Sequence, residues 1–79
     1  MLHVRNGGAG EAIVVFSAPN DCKGQLTVID ISGKIVLRME TGLITAGMTY
    51  YRPVRLTQGI HIVMLQAGES SMQTKFVMP

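Results

Sequence analysis

The sequence has no tryptophan, one cysteine, two phenylalanines and two tyrosines. A single cysteine closes no internal disulfide, so nothing covalent braces the fold. Few aromatics argue against a nucleic-acid module, which sets stacking rings among a basic stripe. The cations show no such stripe. Arg5, Lys23, Lys34, Arg38, Arg52, Arg55 and Lys75 are spread along the chain, and the net charge is only +2. Charged residues of both signs reach 15%, little for a domain that stays dissolved by its own surface. A module seated against a partner or a parent protein suits that figure. No apolar run approaches 18 residues, so no transmembrane helix is expected. Residues 1–8 lack the apolar core of a signal peptide. If the protein is exported, its signal is expected in a longer parent.

Chemistry is sparse too. The carboxylates Glu11, Asp21, Asp30, Glu40 and Glu69 show no spacing suited to acid–base work. His3 and His61 are two lone histidines, too few for a metal site without further ligands. His61 alternates with apolar neighbours and reads as a half-buried side chain. No serine stands in a Gly-x-Ser-x-Gly elbow. Residues 6–10, Asn-Gly-Gly-Ala-Gly, look phosphate-friendly but precede a strand rather than a helix, so no helix N-terminus awaits an anion. They read as a loop, because glycine holds regular structure at an entropic cost. Cys22 falls in an expected loop, residues 18–24, as an incidental thiol. The chain therefore reads as no enzyme, with no catalytic residue, cofactor or metal.

What is present is alternation. Residues 26–41 read as a β-hairpin. Leu26, Val28 and Asp30 share one face of an extended chain; Thr27, Ile29 and Ile31 share the other. A strand apolar on both faces belongs inside a sheet or between layers. Ser32-Gly33 is the expected turn, with Gly33 at positive φ. The return strand alternates Ile35, Leu37 and Met39 with Val36, Arg38 and Glu40. Asp30 reads as a carboxylate that accepts backbone N–H bonds around this turn.

Further strands are expected over 2–5, 11–18, 48–56, 60–67 and 71–78. Pro53 lacks an N–H and marks the 48–56 strand as an edge or an interruption. Residues 42–47 read as a connection carrying a short apolar Leu43-Ile44. In the last strand Met72, Thr74, Phe76 and Met78 share the face able to bury, opposite Gln73, Lys75 and Val77. Seven short strands with turns every eight to twelve residues predict one all-β domain over residues 1–79, a seven-stranded antiparallel β-sandwich.

Three motifs occur in order. Asp30-Ile31-Ser32-Gly33-Lys34 forms a D-x-x-G-K turn between two strands. Leu56 to Val63 runs L-T-Q-G-I-H-I-V, and Thr74-Lys75-Phe76-Val77 lies in the closing strand. Together, residues 24–78 resemble the C-terminal sorting domain of type IX secretion cargo (the Por secretion system) in Bacteroidetes. His61 stands where that family usually has Tyr. Asn6-Gly7-Gly8 replaces its Pro-Asn-Pro, and the chain ends in Met78-Pro79 rather than a basic residue.

The resemblance implies an immunoglobulin-like sandwich and a non-catalytic role. A parent protein crosses the inner membrane, and this domain presents a folded surface to the outer-membrane translocon. In many cargo proteins a sortase-like protease then removes it, leaving the protein secreted or on the cell surface. The resemblance makes Asp30, Gly33, Lys34, Gly59, Ile60, Lys75, Phe76 and Val77 the recognition candidates. An alternative from another class is a structural or carbohydrate-binding sandwich appended to an extracellular protein. Such a module needs a flat aromatic platform, for which only Tyr50 and Tyr51 are at hand, on opposite faces of one strand.

Overall fold

The computed structural model describes residues 1–79. Seven strands form two antiparallel sheets, and there is no helix. In chain order they are β1 (Leu2–Gly8), β2 (Glu11–Phe16), β3 (Cys22–Asp30), β4 (Ile35–Ile44), β5 (Tyr50–Arg55), β6 (Gly59–Ala67) and β7 (Ser70–Met78). One sheet has the order β1-β2-β5, the other β4-β3-β6-β7. The chain crosses between sheets after β2, β4 and β5. This is the expected seven-stranded sandwich. In the constant-type immunoglobulin arrangement the fourth strand would lie beside the fifth. Here it pairs with the third, as the 26–41 hairpin requires.

Alternation builds the core. Ala12, Val14 and Phe16 of β2 face Leu26 and Val28 of β3 and Val63 and Leu65 of β6, all buried. Leu56 and Met78 close one end, and Ala18, Ile44 and Ala67 the other. Tyr50 stacks on Phe16 at 5.6 Å between ring centroids. Arg52 also points inward, donating to the Thr41 carbonyl at 3.3 Å with its guanidinium over the Phe16 ring. Its stem lies among apolar groups while its head ties the three-stranded sheet to β4.

Several expected boundaries move. β1 runs on through Asn6, Gly7 and Gly8, and only Ala9-Gly10 turns. A register shift between Asn6 and Gly8 absorbs Gly7 as a bulge. Cys22 lies in β3, not in a loop, opposite Ile44. β4 continues through Gly42, Leu43 and Ile44, so the 42–47 connection shrinks to residues 45–49. Thr41 and Val36 are extra residues at two bulges in β4. Pro53 sits in β5, an edge strand, as its missing N–H demands.

His61 is the largest departure. It is 2% exposed, not half-buried, and its Nδ1 has no hydrogen-bond partner. It shares the inward face of β6 with Val63 and Leu65, while Ile60, Ile62 and Met64 face outward. Phe76 is only partly buried against the core.

Candidate functional site

The β3–β4 turn is built by Asp30. Its Oδ1 accepts from Ser32 N–H at 2.9 Å, Ser32 Oγ at 2.6 Å and Lys34 N–H at 3.0 Å. These bonds hold the carboxyl below the usual aspartate range, the Ser32 hydroxyl contributing most and the Lys34 amide next. The backbone closes the same loop: Gly33 N–H donates to the Asp30 carbonyl, and Asp30 N–H to the Lys34 carbonyl. The loop thus has four residues, Ile31 to Lys34, rather than the expected two. Gly33 has φ +88°, where a side chain is strained.

The register then brings the three motifs together. Asp30 lies opposite His61, and His61 opposite Phe76. Ile60 faces Val77, Gly59 faces Met78, and Ile62 faces Lys75. All eight candidates therefore occupy one end of the four-stranded sheet. They divide between faces: Phe76 turns in toward the core, while Ile60, Lys75 and Val77 turn out. Gly59, at φ +127°, opens β6 as the chain arrives from the other sheet.

β7 is the terminal strand of this sheet, with no ladder partner on its outer side, though β1 of the other sheet packs near it and the N-terminal ammonium reaches Met72 Sδ at 3.4 Å. The register of β7 with β6 runs from Gly59–Met78 to Ala67–Ser70 without a shift. The other edges are each blunted. β4 carries two bulges, β1 a bulge and β5 a proline. An unpaired, regular strand presents N–H and C=O groups to an added strand; bulges and proline deny it.

Other features lie elsewhere. A cleft of about 300 Å³ opens at the opposite end, lined by residues that include Asp21, Cys22, Glu69 and Ser70. The Asp21 carboxylate is engaged there by Ala46 N–H at 2.8 Å. His3 and His61 lie in different sheets. Tyr50 packs partly buried against the core, its hydroxyl oxygen accepting from Thr45 N–H at 2.9 Å. That leaves Tyr51 as the one tyrosine facing outward, with Arg5 over its ring at 5.7 Å.

Three features escaped the residue-by-residue reading: the buried His61, the inward Arg52, and the aliphatic outer face of this sheet end. The last had a signal. Ile29, Ile31, Ile60 and Ile62 gave two strands apolar residues on both faces, and a small sandwich covers only one face of each sheet. No family model, curated protein or solved structure matches the chain.

Proposed function

We propose that this chain is a non-catalytic sorting domain that directs a parent protein across the outer membrane by the type IX route. One observation carries the reading. Three motifs separated in the sequence meet at one end of one sheet, beside β7, its regular terminal strand. A recognition surface needs such convergence; three unrelated turn and strand signals do not. The translocon would read the Asp30–Lys34 turn, Gly59-Ile60 and the Lys75–Val77 strand end. The β7 edge would supply main-chain pairing. A sortase-like protease is the second partner on this reading, and the destination is the cell surface or the medium.

The test is a reporter fused ahead of this domain in a bacterium with a type IX system. The full fusion should reach the surface. Removing residues 73–79 strips Met78, 3% exposed, and Phe76 from the sandwich and bares the edge of β6. Losing a buried methionine alone costs about 2–5 kcal/mol, a large share of what a small domain has. That fusion should stay in the periplasm. Lys75→Ala leaves the core untouched and separates recognition from folding. Equal export of full and truncated fusions would refute the sorting role.

A further inference from the structure

The outer face of the four-stranded sheet is graded along its strands. Cross-strand neighbours share a face, so the register sorts the outward residues into rows. At the motif end the first row is Ile60 and Val77. The second is Ile35, Ile29, Ile62 and Lys75. The third is Arg38, Thr27, Met64 and Gln73, and the fourth Glu40, Gln25, Gln66 and Ser71. Over these four rows polarity rises from branched aliphatics, through single cations, to amides and a carboxylate; beyond them Lys23 lies opposite Leu43, which is 63% exposed at the far end. Rows two residues apart stand about 7 Å from one another.

The tip is the most apolar part. Ile31, the first residue of the turn, is 78% exposed, and Val77 is 56% exposed. Ile35 and Val36 also remain exposed. Such a cluster on a small monomer marks a contact surface. Cations flank it: Lys34 in the turn and Lys75 in the second row. The nearest carboxylate, Asp30, stays ionised and lies close enough to Lys34 to feel its charge, so Lys75 is the cation at this end with no such neighbour. On the adjoining end of the other sheet, Glu11 lies opposite Arg55. Asp21 and Glu69 lie at the far end, by the cleft.

We propose that the chain docks tip-first on an anionic lipid surface, with Ile31, Ile60 and Val77 entering the interface and Lys34 and Lys75 at headgroup level. A protein interface surrounds its apolar centre with a polar rim on all sides; here the apolar residues lie at the sheet's tip, with polar rows on one side only. A bilayer boundary selects for a gradient along one axis. Apolar groups enter about 5–10 Å, a depth that spans the tip and first two rows. Lysine stems lie along the apolar surface with the ammonium groups among the phosphates. This proposal stands apart from the sorting role, and either can fail alone.

The test uses the 79-residue chain and vesicles of phosphatidylcholine, with or without phosphatidylglycerol. The chain should float with the anionic vesicles at low salt and release at high salt. Lys34→Ala and Lys75→Ala should each weaken binding about fivefold. Because the chain has no tryptophan, Ile31→Trp gives a single reporter at the tip. Its emission should shift to the blue on anionic vesicles and be quenched by brominated acyl chains. Tyr51→Trp, on the other sheet, should show neither change. Circular dichroism confirms that each variant is folded. Absence of binding to anionic vesicles overturns the proposal and leaves the face to a protein partner. Binding that ignores lipid charge, or a blue shift at Tyr51→Trp instead, also overturns it.

Discussion

Gly24→Ala tests how closely β3 and β4 approach at the Thr41 bulge. Gly24 is buried in β3, and its N–H donates to Thr41 Oγ1 at 3.0 Å. A methyl group there would stand 3.0 Å from three atoms: the Gln66 carbonyl oxygen, Ile44 Cδ1 and Thr41 Oγ1. None gives way easily. Gln66 belongs to the β3–β6 ladder, opposite Gln25. Ile44 is 1% exposed in the core. The Thr41 hydroxyl also donates to the Gly42 carbonyl at 2.9 Å. Forcing a methyl group into a packed site costs about 1–3 kcal/mol. Displacing Thr41 to make room would forfeit a hydrogen bond worth about 0.5–1.5 kcal/mol. Against this, alanine restricts the unfolded chain and returns about 0.4–1 kcal/mol. The net expectation is a loss of about 1–3 kcal/mol. For a domain of this size each kcal/mol lowers Tm by about 4–8 °C. Urea denaturation followed by circular dichroism measures it. A Gly24→Ala protein as stable as the unmodified chain would refute the close approach.

Gly33→Val should cost about 1–3 kcal/mol by backbone strain alone, since nothing lies within 4 Å of a Cβ there; an unchanged urea midpoint would count against the turn. His61→Leu should stabilise by about 1 kcal/mol, because it removes an unpaired buried nitrogen. A fall in Tm would show that the ring has a partner. Asp30 has a lowered pKa in the fold, so its contribution is present above its unfolded value, near 3.8, and is lost as pH falls through the lower folded value. Asp30→Asn should therefore lose less stability than the unmodified chain as pH falls below about 4; parallel acid titrations of the two midpoints would refute this.

Most of the sandwich was legible because its strands alternate. The hairpin, the Pro53 edge and the burying face of β7 all follow from period-two patterning and backbone chemistry. The errors cluster at glycines. Gly7, Gly24 and Gly42 looked like loop residues, yet each lies within a strand. At Gly7 and Gly24 a Cβ would press on neighbouring strands at 3.1 and 3.0 Å. At Gly42, φ is +74° beside the Thr41 bulge. Such needs come from the partner strand, which a local window does not contain. The orientation of β6 was open for a related reason. Ile60, Ile62 and Met64 are as apolar as His61, Val63 and Leu65, so alternation alone could not rank the faces. Pairing with β3 decides it, placing His61 and Val63 beside Asp30 and Val28. At the candidate site, the three motifs were visible singly. Their meeting at one sheet end depends on β3 and β7 flanking β6, a nonlocal fact.

The two bulges in β4 have a consequence for growth. A four-stranded sheet with two open edges could extend indefinitely, each added strand offering a fresh edge to the next. Of this sheet's two edge strands, only β7 is free of bulges. Two copies joined through β7 would expose a bulged β4 at both ends, and elongation would stop there. The sheet is in effect a chain terminator with one reactive end. A strand added at β7 would leave a discrete particle rather than a growing sheet, even at the high local concentrations that turn open sheets into fibres.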